Sequence, residues 1–132
     1  VTAAIIITTP QDIALLDARR AIKMFEKVKI PTLGIIENMS MHICPECSHV
    51  SYPFGKDGGE NLAEESNISL LGKCPLDLKI REETDTGTPT VQKDENHPIS
   101  ANFIAIAKKV SAKIAELPKS YAHIMPNVKL EN

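Results

Sequence analysis

Residues 33–47 read Leu-Gly-Ile-Ile-Glu-Asn-Met-Ser-Met-His-Ile-Cys-Pro-Glu-Cys and join an apolar run to a pair of cysteines. The apolar side chains of Leu33, Ile35 and Ile36 predict a buried strand of a parallel sheet. Polar residues follow where such a strand leaves its sheet, and open α/β sheets bind their ligands at that edge. The stretch therefore predicts an α/β fold whose functional groups come directly after this strand.

The composition limits the class of protein. The chain has 132 residues, and a hydrophobic fraction of 42% is enough for one domain with a packed core. A net charge of -2, from 15 basic and 17 acidic residues, gives no sign of a nucleic-acid or membrane partner. No apolar run approaches the roughly 20 residues of a membrane-spanning helix, and the first residues lack the cationic region of a signal peptide. We therefore expect a cytoplasmic protein.

The beginning of the chain already reads as secondary structure. Residues 1–8 form an apolar run that predicts a buried strand. Because a buried parallel strand needs neighbours on both sides, we expect the chain to be the C-terminal part of a longer protein, without its first phosphate-binding loop. The alternative is a complete small domain that starts on a strand.

Helices and strands alternate along the rest of the chain. Thr9 is expected to cap a helix that runs to about Lys29, with Ala14, Ala18, Ala21, Phe25 and Val28 facing the sheet. The last helix is expected to bury Phe103, Ile106, Ala107, Val110, Ile114 and Leu117. The later elements are predicted to be a cysteine loop over 39–57, helices over 59–66, 76–82 and 98–117, a third strand over 68–74 and a polar loop over 84–98. Residues 1–117 thus form the predicted domain, and residues 118–132 a tail.

The pair Cys44 and Cys47 admits three interpretations. One Cys-x-x-Cys supplies two of the four thiolates that zinc or an iron–sulfur cluster usually takes. His42 and His49 could complete a zinc site, or a second copy of the chain could bring its own pair across a two-fold axis. A redox dithiol is the third interpretation, although no helix follows the pair to lower the first thiol's pKa. Metal binding is the favoured one.

Two other features have weaker functional signals. Cys74 ends an apolar strand and has no partner cysteine nearby in sequence, so it is interpreted as a buried core thiol. Gly58 and Gly59 could hold a phosphate at a helix N-terminus. Because no lysine and hydroxyl follow them, an ordinary turn is favoured.

Several of these runs together resemble the Mrp (ApbC) family, which are P-loop ATPases of the MinD-like, deviant Walker A type that act as iron–sulfur cluster carriers. The resemblance covers about residues 1–117, in the same order and spacing. The runs that carry it are 7–18, 34–40, 44–47, 54–60, 75–82 and 87–89.

The resemblance implies more than the spacing does. It implies that Cys44 and Cys47 of each of two protomers hold a bridging 4Fe-4S cluster, which the homodimer passes to apo iron–sulfur proteins. It also implies that Asn38, Pro75 and Asp77 border the adenine of ATP, with Asn38 reading the base edge through its amide and Asp77 accepting from the exocyclic amine. The alternative role of these three residues is to cap and turn the chain at strand ends.

We therefore expect an α/β, mostly parallel sheet with flanking helices, the C-terminal portion of a MinD-like P-loop NTPase. The longer protein is expected to hydrolyse ATP with Mg²⁺. This chain alone is not, because phosphoryl transfer depends on cations positioned by a loop that it lacks. The rival functions are a zinc-stabilised interaction module and a thiol–disulfide redox protein.

Overall fold

The structure is a computed structural model that describes residues 1–118, so the predicted tail, apart from Pro118, lies outside the described residues. Strands and helices alternate along most of the chain. In order they are β1 Ala4–Thr8, α1 Asp12–Lys27, β2 Thr32–Glu37, β3 His42–Ile43, β4 Val50–Ser51, α2 Gly58–Glu65, β5 Leu70–Lys73, α3 Leu78–Asp85, α4 Thr90–Lys93 and α5 Pro98–Glu116.

The main sheet has three parallel strands in the order β1-β2-β5, which confirms the predicted α/β class. The strand β2 lies in the centre, with Thr8 opposite Glu37 on one side and Lys73 opposite Glu37 on the other. The carboxyl ends of all three strands thus meet at one edge, where Glu37 is flanked by a residue from each neighbour.

Helices pack on both faces of this sheet. On the face of Ile6 and Ile35, α1 and α2 contribute the buried side chains Leu15, Ala18, Ile22, Leu62 and Ala63. On the opposite face, α5 packs Ile106 against Leu71 and Cys74. A Cβ on Gly72 would lie 2.5 Å from Ile106 Cγ1, so only glycine lets α5 approach β5 this closely.

The first βα unit differs from its prediction in detail. β1 starts at Ala4 rather than Val1, which is 98% exposed. The N-cap position of α1 is Gln11 instead of Thr9, without a capping hydrogen bond from the side chain. The helix ends at Lys27, and Lys29 takes a left-handed conformation with a φ of 57°. Of the predicted stripe, Ala18 is buried, Val28 is 57% exposed, and Ala14, Ala21 and Phe25 are only half-buried. The stripe is incompletely covered because β1 pairs on one side only in the part of the chain that the structure describes.

The second half of the chain is more helical than predicted. The expected loop over 84–98 contains the last residues of α3 and all of α4. The buried Glu83 organises this region, because its carboxylate accepts from Lys93 at 3.2 Å. α5 matches its predicted range to within one residue, yet Ala107 is exposed and Ile114 is 47% exposed. A helix of 19 residues spans roughly 28 Å, whereas the 4 residues of β5 span about 13 Å, so part of the helix extends past the strand.

Within residues 1–118, no helix combines the length and the apolarity that crossing a membrane requires.

Candidate functional site

The predicted cysteine loop over 39–57 contains a small hairpin. Its strands β3 and β4 pair antiparallel, with His42 opposite Ser51 and Ile43 opposite Val50. Cys44 and Cys47 lie in the turn that joins them. The loop prediction was therefore incomplete, because two short paired strands carry the cysteines to the tip of a defined hairpin.

Backbone hydrogen bonds close the turn of this cysteine hairpin. The N–H of Cys44 donates to the carbonyl of His49 at 3.0 Å, and the N–H of Ser48 donates to the carbonyl of Cys44 at 2.9 Å. Ser48 has a φ of 57°, the left-handed conformation that allows the chain to turn back. The two thiols are thus presented by an ordered turn, with Cys44 half-buried and Cys47 exposed.

The thiol pKa values of Cys44 and Cys74 are shifted in opposite directions. Hydrogen bonds from the backbone N–H of Cys47 and then of Glu46, together with the thiol of Cys47, hold the pKa of Cys44 below its ordinary value. Burial raises the pKa of Cys74, which is 4% exposed in the core. Backbone donors aimed at a sulfur favour its thiolate, the form that binds metals. The hairpin therefore favours the thiolate form of Cys44 without the helix that a thioredoxin-like motif uses.

Within the described part of the chain, the structure does not bring a third metal ligand to the cysteines. Among residues 1–118, no group of three or more His, Cys, Asp or Glu side chains lies close enough to hold a metal ion. The Nδ1 of His42 lies 3.2 Å from the carbonyl oxygen of Leu76, so one ring nitrogen is bonded to the segment after β5. A zinc site made of the two cysteines with His42 or His49 is therefore not assembled within one chain.

A buried carboxylate closes the base of the hairpin. Glu37, at the end of β2, is fully buried and accepts hydrogen bonds from the hydroxyl of Ser40 and from the N–H of Gly59. A Cβ on Gly59 would lie 2.9 Å from Glu37 Cβ, so a glycine is needed for this approach. The glycine pair thus begins α2 and binds Glu37, and the N–H of Gly59 is not open to a phosphate. In the sequence, this contact is indicated only by a glutamate at the end of an apolar run and by the Gly-Gly pair that begins the next helix.

Lys73 ties the end of the loop to the sheet. Its Nζ lies 2.6 Å from a carboxylate oxygen of Asp57 and 2.6 Å from one of Glu60. Hydrogen bonds to Asp57 and then Glu60 raise the pKa of Lys73, and the same lysine lowers the pKa of Asp57. No local pattern in the sequence indicates this contact, which fixes Asp57 where the cysteine loop enters α2.

The three residues expected to border a nucleotide lie together. Asn38, Pro75 and Asp77 line one cleft of about 390 Å³, whose other walls include Met39, Ile80, Arg81 and Phe103. Met39 has a φ of 53°, which is uncommon for a residue with a side chain and often marks functional sites. Asp77 also caps α3, because its Oδ1 accepts from the N–H of Lys79 at 2.8 Å. Its Oδ2 is the oxygen with which Asp77 can meet a ligand.

The chain as a whole is similar to the proteins of one family. A family model described as "ParA: NUBPL iron-transfer P-loop NTPase" matches residues 1–111. The "Iron-sulfur cluster carrier protein" of Haemophilus influenzae is 52% identical over 114 residues, which are 86% of this chain and 31% of that protein. The chain spans about a third of the length of the curated relatives it matches.

Solved structures agree on the fold. The cell division ATPase MinD of Pyrococcus furiosus has a TM-score of 0.63 at 22% identity, over 84% of this chain and 43% of that one. A nucleotide-binding protein of Archaeoglobus fulgidus, solved in complex with ADP and with cobalt found, has a TM-score of 0.61 at 31% identity, over 77% of this chain and 40% of that one. The architecture is thus that of MinD-like P-loop NTPases. Because the family model matches most of its length, the chain belongs to the ParA family of NUBPL iron-transfer P-loop NTPases.

Proposed function

We propose that the protein carries iron–sulfur clusters, with Cys44 and Cys47 of each protomer supplying two thiolates to a 4Fe-4S cluster shared between two copies. The observation that carries this proposal is the hairpin tip, where two thiols lie in one ordered turn and no third ligand is close by in residues 1–118. Two thiolates are half of the usual set of four, so a second copy of the same hairpin completes it. The cluster is cargo, and apo iron–sulfur proteins are its recipients.

The backbone donors at Cys44 suit this role. They stabilise a thiolate before metal arrives, and they remain available as hydrogen-bond donors to a ligated sulfur. An exposed Cys47 lets a recipient thiol reach the cluster for exchange. The hairpin thus supports both the binding and the release of a cluster.

The nucleotide part of the proposal rests on the cleft formed by Asn38, Pro75 and Asp77. The cleft is lined mainly by apolar groups with a few polar ones, which fits a purine base. The amide of Asn38 can donate to and accept from the base edge, and Asp77 Oδ2 can accept from an exocyclic amine. ATP with Mg²⁺ would supply the free energy of hydrolysis to the full-length protein, at phosphate contacts that residues outside this chain provide.

We also propose a homodimer in the cytoplasm, without nucleic-acid or membrane partners. The near-neutral net charge of -2 supports this, because it offers no strong attraction to an anionic polymer or lipid surface.

Anaerobic reconstitution of the full-length protein with iron and sulfide tests the proposal. The wild type is expected to take up about two irons per chain and to form a dimer with the absorbance of a 4Fe-4S cluster. Cys44→Ser and Cys47→Ser are expected to lose the cluster, whereas the matched control Cys74→Ala keeps it, because Cys74 lies in the core. A protein that binds one zinc per chain and no iron, or whose cluster survives both serine variants, would contradict the proposal.

The redox alternative has one observation in its favour, the lowered pKa of Cys44. It predicts a reversible disulfide between Cys44 and Cys47 that a recipient thiol reduces. An exchange assay without iron and sulfide separates the two functions, because only a thiol–disulfide enzyme reduces or oxidises a substrate thiol pair under those conditions.

A further inference from the structure

The segment Pro75–Asp77, called the strap below, separates two clefts. On one side it lines the proposed nucleotide cleft together with Asn38. On the other side it lines a second cleft of about 390 Å³, whose opposite wall includes Ile43 and Pro45 of the cysteine hairpin. The strap is therefore a wall common to the nucleotide cleft and to a cleft bordered by the two residues that flank Cys44.

The strap is hydrogen-bonded directly to the base of the hairpin. The N–H of Leu76 donates to the carbonyl of Met41 at 2.7 Å. The carbonyl of Leu76 lies 3.2 Å from Nδ1 of His42, and because a carbonyl can only accept, Nδ1 carries the proton and donates. The N–H of Leu76 is thus bonded to Met41, which precedes β3, and its carbonyl is bonded to His42, which begins β3.

The remaining attachments of the strap are few. Pro75 has no N–H, and Asp77 uses Oδ1 to cap α3. Cys74, which precedes the strap, is bonded to the segment that leads to the hairpin, because its carbonyl accepts from the N–H of Ser40 at 2.9 Å. A ligand in the nucleotide cleft that displaces or orders the strap would therefore also act on its hydrogen bonds to Met41 and His42.

We infer that His42 is a positioning residue that couples nucleotide occupancy of the Asn38–Asp77 cleft to the cysteine hairpin, through its hydrogen bond to Leu76. The inference rests on the proposed function, because it needs both a nucleotide and a cluster. His42 begins β3 and Cys44 directly follows that strand, so only Ile43 lies between the bonded histidine and the first cysteine. Coupling of this kind is reciprocal: a cluster that changes nucleotide affinity is itself bound differently when the nucleotide is present.

The test measures ADP affinity of the full-length protein by calorimetry, with Mg²⁺, in the cluster-free and the cluster-loaded state. In the wild type, the ratio of the two dissociation constants is expected to differ from unity by at least about fivefold, the lower end of typical coupling. In His42→Ala the ratio is expected to fall within about twofold of unity, while each ligand still binds. His42→Asn places an amide N–H where Nδ1 was and is expected to restore the ratio. His49→Ala is the matched control, because that histidine is exposed and bonds Cys44 through its backbone carbonyl only.

A second measurement needs no cluster. The alkylation rate of Cys44 in the cluster-free protein is expected to respond to ADP in the wild type and His42→Asn, and to stop responding in His42→Ala. A His42→Ala variant that keeps the wild-type ratio and response, or a wild type with a ratio of unity, overturns the inference and leaves the proposed function intact. A protein that binds neither ADP nor a cluster overturns both.

Discussion

Removal of the Glu37 carboxylate is expected to weaken the base of the cysteine hairpin more than any exposed substitution. Glu37→Ala leaves two buried donors, the Ser40 hydroxyl and the Gly59 N–H, without their acceptor. Each unsatisfied buried group costs about 1–3 kcal/mol, so the loss of the acceptor of two such groups is expected to lower the free energy of unfolding by about 2–6 kcal/mol. Glu37→Gln keeps the shape and one carbonyl oxygen for Gly59, and the Ser40 hydroxyl can rotate to accept from the new amide. Its cost is expected to be about 1 kcal/mol.

Urea unfolding of the full-length protein measures both changes from the shift in midpoint at constant slope. Glu64→Gln is the matched control, because this carboxylate is exposed on the same helix that Gly59 begins, and the free energy is expected to change by less than about 0.5 kcal/mol. A loss below about 1 kcal/mol for Glu37→Ala, or an equal loss for the Gln and Ala variants, would refute the reasoning from unsatisfied donors.

Three further outcomes follow from the same region. Gly59→Ala places a Cβ 2.9 Å from the side chain of the buried carboxylate and is expected to cost about 2 kcal/mol in urea unfolding, a loss that shrinks if the carboxylate is also removed. Since Lys73 depresses the pKa of Asp57 in the folded state, the stabilisation by this pair is present above the unfolded pKa of about 3.9 and is lost as pH falls through the lower folded value. The gap in unfolding midpoint between wild type and Lys73→Met should therefore close below about pH 4, and a constant gap would contradict it. In the native protein at neutral pH, iodoacetamide is expected to modify Cys44 well before Cys74, and mass spectrometry should find this order abolished in urea.

The parallel sheet could be predicted because its apolar runs and helical periodicities are local patterns. Leu33, Ile35 and Ile36 lie in the central strand, and the last helix was located to within one residue. The buried positions along α1 and α5 were predicted less well. Periodicity identifies an apolar stripe, but the length and pairing of the neighbouring strands decide how much of that stripe is covered.

The contacts of the candidate site were also predictable only in part from the sequence. Asn38 follows β2, and Pro75 and Asp77 follow the neighbouring β5, so the parallel sheet brings all three to one cleft, while their role at a nucleotide stays a prediction. The contacts of Glu37 with Gly59, and of Lys73 with Asp57, join residues 22 and 16 positions apart and could not be read from spacing. Such pairs depend on how α2 packs against the sheet, which no local pattern specifies.

The single-sided pairing of β1 has a practical consequence. Ile7 is 65% exposed, and a groove of about 610 Å³ lined by Ala21 and Phe25 runs beside it in the part of the chain described here. An uncovered strand edge with apolar neighbours is a template on which another chain can add a strand. Preparations of residues 1–132 without the rest of the protein should therefore precipitate or form mixed oligomers as their concentration rises. Light scattering measured over a dilution series would show this association. Binding measurements should therefore use the full-length protein.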